Sequence, residues 1–189
     1  TRFRVNYTGE DFSLIPDTSD PQMLFLANNI SKMKRDTVLG SRIVEVHNGS
    51  SIFTGKAGQG PTNLRQYILE QELLEAIVAV PEKMFYNTGI STYIWVLANK
   101  KEERRKSKVQ LIDATSFKKT LRKNLGEKNC EIDKAIRDHI LELYMAFDQA
   151  DERYSKVFDT YEFGYWEVPV YTPQYDETGK PILDKKGKP

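Results

Sequence analysis

The order of elements constrains this chain most: helix, strand, helix, strand, then a pair of strands. Met23, Leu26, Ile30 and Met33 recur at helical spacing behind Asp20-Pro21. Residues 20–34 therefore read as an amphipathic helix, opened by a side-chain cap and a proline that needs no amide partner. Arg42 to His47 is short and rich in β-formers, and the turn residues Asn48-Gly49-Ser50 follow. Pro61 opens a second helix to about Gln71, with Leu64, Tyr67 and Ile68 on one face. Leu74 to Val80, closed by Pro81, reads as a buried strand. Ser91 to Leu97 is a strand by its β-branched and aromatic content, and Val109 to Asp113 is another after the charged turn from Lys100 to Lys108. These last two read as a hairpin. The order fits half of an α/β domain. The short βα spacings predict parallel pairing early, and the tight turn predicts antiparallel pairing late. The strands are too few for a complete doubly wound sheet, which would expose apolar edges or need a partner.

The flanks have a different texture. Residues 1–18 lack periodicity and read as a loop entering the domain. After Thr115, Ile132, Ile136, Ile140, Leu143 and Phe147 form a helical stripe, so a helix is expected over about 131–149. Residues 156–171 are aromatic and β-prone. From Thr172 the chain is rich in Pro, Gly, Lys and Asp, as in a hairpin cut short or a disordered tail. The expected division is 1–115 and an extension over 116–189.

Charge and cysteine narrow the function. Twenty-eight Lys and Arg against 27 Asp and Glu give a net charge of +1, so any basic surface must be local. A lone Cys130 excludes an internal disulfide framework, and a reducing cytoplasm is the simplest compartment. Apolar runs such as Ala76 to Val80 are far short of the roughly 20 residues a membrane span needs. With only His47 and His139, one cysteine and no carboxylate cluster beside them, no metal site is expected. His139 reads as structural, and His47 at a strand end has no nucleophile–base partner. No secretory leader opens the chain, and its start at Thr1 rather than Met reads as a truncated or internal start.

Three stretches remain as chemistry. Gly55-x-x-Gly58-x-Gly60 before a helix invites a phosphate-cradle reading, but the P-loop and dinucleotide spacings are absent and Lys56 lies inside the loop. A flexible connection and a loop passing close to a ligand or DNA are the other readings. Phe85-Tyr86-Asn87-Thr88-Gly89 puts aromatics on a loop beside a strand, either as core plugs or as platforms for a base. Lys100, Lys101, Arg104, Arg105, Lys106 and Lys108, diluted by Glu102 and Glu103, read as a solvated hairpin tip or a phosphate contact.

Several stretches together resemble the modification subunits of type I restriction–modification systems. They are Leu24-Phe25-Leu26 with Ile30-Ser31-Lys32-Met33; Asn48 through Gly60 to Asn63-Leu64-Arg65; and Leu74 to Pro81 running on to Phe85-Tyr86-Asn87-Thr88-Gly89 and Ser91 to Leu97. Their order and spacing cover about 20–115. Val157-Phe158-Asp159 with Phe163-Gly164-Tyr165 resembles the segment that follows the catalytic domain in that family.

The resemblance implies the second half of a class I, S-adenosylmethionine-dependent methyltransferase fold: a Rossmann-like mixed α/β sheet with a C-terminal helical and β-hairpin extension. In such enzymes a target adenine is flipped from the duplex and its N6 amino group takes the donor methyl. The family's donor-binding glycine turn and its Asn/Asp-Pro-Pro-Phe/Tyr motif do not occur here, and both fall upstream of this region in the family. No catalytic residue is therefore assigned, and the chain alone is expected to be inactive and not to bind the donor. The resemblance places Phe85, with Tyr86 as the alternative, in the target-base pocket. It places Asn48, Gly49, Gly55, Gly58, Gly60 and Arg65 on an active-site wall or DNA-facing loop. Glu45 and His47 depart from a strand the family keeps apolar, which argues against a central position for that strand. The implied partners are the specificity and restriction subunits and DNA, with no membrane. A non-enzymatic module that docks the specificity subunit through 131–149 and the aromatics after it is the alternative; it would co-purify with that subunit without any donor. A nucleotide-hydrolysing module would rest on the glycine loop alone and require nucleotide-induced thermal stabilisation.

Overall fold

Residues 4–7, 10–15, 21–166, 168, 170, 172 and 174–182 are described by a computed structural model. The start of the chain is not the loop its texture suggests. β1 (Arg4–Tyr7) and β2 (Glu10–Ser13) form an antiparallel hairpin in which Arg4 faces Ser13. Arg4-Val5-Asn6-Tyr7 alternates over only four residues and Glu10-Asp11-Phe12-Ser13 does not alternate, so the signal is slight. The expected cap at Asp20 lies outside the described residues. α1 (Pro21–Ile30) buries Met23, Leu26, Ala27 and Ile30. It ends four residues earlier than its apolar spacing predicts. There Lys32 N–H bonds the Asn29 carbonyl and Met33 N–H the Ile30 carbonyl, in the tight three-residue pattern that closes a helix.

β3 (Arg42–Asn48), α2 (Ser50–Phe53), α3 (Gly60–Glu70), β4 (Leu74–Val80) and β5 (Thr92–Ala98) follow. A 3-10 turn at Glu103–Arg105 leads to β6 (Lys108–Asp113). Then come β7 (Lys119–Leu125), β8 (Lys128–Glu131), α4 (Lys134–Ala146) and β9 (Ser155–Asp159). The main sheet has five strands in the order β3-β5-β4-β6-β9. Two pairing expectations are overturned. β3 and β4 are not neighbours, because β5 lies between them and runs antiparallel to both. β5 and β6 form no hairpin, because β6 pairs with β4 instead, in parallel. The reason is burial. Leu74, Ala76, Val78 and Val80 of β4 are all at most 5% exposed, and pairing β5 directly with β6 would strand that apolar run at an edge. β3, with Glu45 and His47, takes an edge.

Alternation along β5 supplies two cores. Trp95 and Leu97 join α1 and α3 in one cluster, while Ile94 packs into another with Val78, Val80, Ile112 and Leu143 of α4. α4 falls within the expected helix, and Asp133 caps it by accepting from the Ile136 N–H. β9 pairs antiparallel with β6, so the sheet runs on past residue 115. Among the described residues of the aromatic stretch only its start is a strand, and Thr160–Phe163 is a 3-10 turn. Further on, Tyr175 bridges Pro181 across a turn. The texture of 116–130 hid the separate hairpin β7–β8. Among the described residues no helix is long and apolar enough to cross a membrane.

Candidate functional site

The C-terminal end of β3 is stitched to α1. Gln22 donates to the Asn48 side-chain oxygen at 2.8 Å and accepts from the Asn48 N–H at 3.0 Å, while the Ser50 N–H also donates to that oxygen at 2.9 Å. Asn48 is thus a fixed corner. Gly49 packs beside it, with the Tyr93 ring at ordinary contact distance from where a side chain would start. The glycine loop spans the gap from α2 to α3. Gly55 has φ +101°, and a Cβ there would sit 3.0 Å from the Thr62 hydroxyl and 3.3 Å from Pro61. Gly58 lies in open space and Gly60 begins α3 with Pro61 behind it.

The loop is occupied with its own bonding. Lys56 N–H donates to the Gln59 side chain, and Gln59 N–H to the Lys56 carbonyl. These amides do not point as a phosphate cradle would require. Arg65 donates to the carbonyls of Ser51 (3.1 Å) and Thr54 (2.6 Å) and to the Thr62 hydroxyl. Its guanidinium takes the carbonyls at the end of α2 and fixes the loop's path.

The aromatic loop splits its two rings. Phe85 is half-buried against the second core, beside Met84, whereas Tyr86 is 63% exposed. The loop rests on β8 and the turn before it. Lys128 Nζ donates to the Met84 carbonyl at 3.0 Å, the Asn129 N–H to the Lys83 carbonyl at 3.0 Å, and the Cys130 thiol to the Glu82 carbonyl at 3.3 Å. Gly126 has φ +62° and a Cβ there would approach Asn87 Oδ1 to 2.9 Å, so the turn must be glycine for the two loops to meet. Sequence reasoning missed this seat. Its only signal was Gly126 between two polar, weakly alternating runs.

The basic run after β5 is not a uniformly solvated tip. Arg105 is 2% exposed. Its guanidinium lies 4.2 Å from the Tyr144 ring centre and 4.4 Å from that of Phe147, and donates to Gln110 Oε1 and the Tyr144 carbonyl. Gln110 in turn donates to the Leu143 carbonyl and the Ser155 hydroxyl. Buried Glu75 accepts from the Tyr144 hydroxyl at 2.9 Å and from Arg42 at 3.2 Å. This network ties α4 to the sheet. Lys106, by contrast, is exposed and paired with Glu103.

Burial, followed by the nearby Glu75 carboxylate, pushes the Tyr144 hydroxyl up to about 12. Its folded value lies above the ordinary 10, so its contribution to stability is complete below pH 10 and is lost as pH rises toward 12. In an ultraviolet titration one tyrosine is expected to ionise well after the others, and Tyr144→Phe should remove that late step.

His47 is 2% exposed, stacks on Trp95 and bonds Glu45 at 3.1 Å. Burial pushes the Glu45 carboxyl up, but hydrogen bonds from His47 and Asn29, with the charge on His47, outweigh it and leave the group below its usual value. His47 is therefore a core residue. His139 is half-exposed on α4, its ring 5.0 Å from that of Phe117.

The sequence model of the N-6 DNA methylase family matches residues 6–180. The chain is 38% identical over 104 residues to the type I restriction enzyme MjaVII methylase subunit of Methanocaldococcus jannaschii, a match covering 52% of this chain and 17% of that protein. The crystal structure of a type I restriction-modification system methyltransferase subunit from Streptococcus thermophilus superposes with a TM-score of 0.64 at 20% identity, covering 78% of this chain and 28% of that one. A chain from a structure on complex assembly and conformational transition of the type I R-M system superposes at 0.52 and 18% identity, covering 74% and 28%. The likeness to the solved structures is one of fold, and this chain spans under a third of each of these proteins.

Proposed function

This chain belongs to the N-6 DNA methylase family, and from that premise we propose that it is part of the modification subunit of a type I restriction–modification system. The intact subunit transfers a methyl group from S-adenosylmethionine to adenine N6 in DNA, assembled with specificity and restriction subunits. The specificity subunit reads the sequence. The observation that carries this reading is the family match across residues 6–180. Residues 1–115 carry the body of the second half of the catalytic domain, and the extension over 116–189 contributes β9 to the same sheet.

Within that reading the chain supplies walls. Tyr86, exposed beside the half-buried Phe85, offers its face to the flipped base. Asn48, Gly49 and the loop through Gly55, Gly58 and Gly60 form a second wall, and Arg65 holds that loop in place. The residues here do not fit as a holder of the methyl donor. The loop amides at Lys56 and Gln59 are bonded internally, and at the glycine turn after β3 the Ser50 amide is taken by the Asn48 side chain. Donor binding is accordingly assigned to the rest of the longer subunit.

The test is direct. Purified 1–189 with labelled donor and DNA is expected to show no methyl transfer, while the full-length subunit with its specificity partner does. Turnover by 1–189 alone would sink the assignment of donor binding to other segments.

A further inference from the structure

We infer that the β7–β8 hairpin is a DNA-backbone contact that grips the phosphates flanking the target adenine. The inference rests on the proposed function and deepens it.

The chain as a whole is nearly neutral, so a local excess of one sign carries information. Between Ser116 and Glu131 the sequence places Lys118, Lys119, Arg122, Lys123 and Lys128 against only Glu127 and Glu131. Lys118, Lys119, Arg122 and Lys123 are exposed. The side-chain charges of Lys118, Arg122 and Lys123 have no ion-pair partner among the described residues, and Lys119 has only a loose one, Asp133 at 3.8 Å. Several of the basic groups elsewhere are engaged. Arg65 is bonded to carbonyls, Arg105 is sandwiched between rings, Lys106 is paired with Glu103 and Arg153 with Asp151.

Position gives the charge a purpose. The hairpin is the platform of the aromatic loop, through the bonds from Lys128, Asn129 and Cys130 and the close approach of Gly126 to Asn87. A base stacked on Tyr86 would therefore bring its own strand beside β7. From Lys119 to Lys123 the strand rises about 13 Å, close to the axial length of four base pairs. Lysine and arginine on such a strand neutralise phosphates without reading bases, so they would fix register and leave sequence choice elsewhere.

The experiment uses the full-length modification subunit assembled with its specificity subunit, and a duplex carrying the recognition site. Affinity is measured across a salt series for the native complex and for Lys118→Gln, Lys119→Gln, Arg122→Gln and Lys123→Gln combined. A second variant replaces the three lysines with arginine. The glutamine variant is expected to lose about three to four units of salt slope and to bind about tenfold or more weakly near 0.15 M salt, equally on specific and non-specific DNA. The arginine variant should keep the native slope. An unchanged slope in the glutamine variant overturns the inference, and so does weakened assembly with the specificity subunit at unchanged DNA affinity, which would make the hairpin a protein interface. If the hairpin variant binds normally while Tyr86→Ala cripples methylation, the hairpin fails and the proposed function stands. If the same full-length complex shows no adenine methylation at all, the function itself fails.

Discussion

Arg105→Ala is expected to lower the unfolding free energy of the chain by about 3–5 kcal/mol, a large share of the roughly 5–15 kcal/mol that a folded domain holds. Three losses combine. Gln110 Oε1 and the Tyr144 carbonyl, both served by the guanidinium, are left without that donor. A buried polar atom stripped of its partner costs about 1–3 kcal/mol. The cation–π contacts to Tyr144 and Phe147 go as well, and a void opens between those rings. In a melting experiment this is a drop of about 10 °C or more. Lys106→Ala, one residue away, is the control. Its exposed pair with Glu103 should move the melting point by a degree or two at most. Equal shifts for the two variants would mean that Arg105 is not buried as described. Arg105→Lys should recover little, because a lysine can neither fork to two acceptors nor lie flat between rings.

The same residue shows where sequence reading stops. Arg105 stands among charged residues after a strand, and nothing local marks it as buried. Its partner Tyr144 is 39 residues away. The elements that were legible have their signal within one window. α4 announced itself through Ile136, Ile140 and Leu143, and β4 through an apolar run closed by Pro81. Pairing was not legible, because whether β6 joins β5 or β4 depends on which strand must be covered, and that is a property of the whole sheet. At the candidate site the residues were found by resemblance, but their division of labour was not. Arg65, expected on an active-site wall or DNA-facing loop, holds the carbonyls of Ser51 and Thr54. The β7–β8 seat was invisible because its strands are mostly polar and exposed.

Phe85 and Tyr86 can be told apart by what each loses. In the full-length subunit with its specificity partner, Tyr86→Ala should lower kcat/KM for methylation about 5- to 150-fold. That is the equivalent of the ~1–3 kcal/mol that one aromatic–base stack supplies. Tyr86 is largely solvated, so its loss should leave the melting temperature within about a degree. Phe85→Ala should behave differently. Its ring packs on the cluster of Val78, Val80, Ile112 and Leu143, so truncation should cost about 1–3 kcal/mol of stability as well as activity, by letting the loop sag. DNA with 2-aminopurine at the target position separates the two effects. A flipped base fluoresces when unstacked and is quenched against a tyrosine ring, so Tyr86→Ala should brighten the complex at unchanged affinity for DNA. Tyr86→Phe keeps the face and should retain most of the activity, because stacking uses the ring and not the hydroxyl. Wild-type kcat/KM in Tyr86→Ala, together with unchanged fluorescence, would remove this loop from the base pocket. Phe85 would then be a core plug alone, which its packing against the second cluster already requires it to be in part.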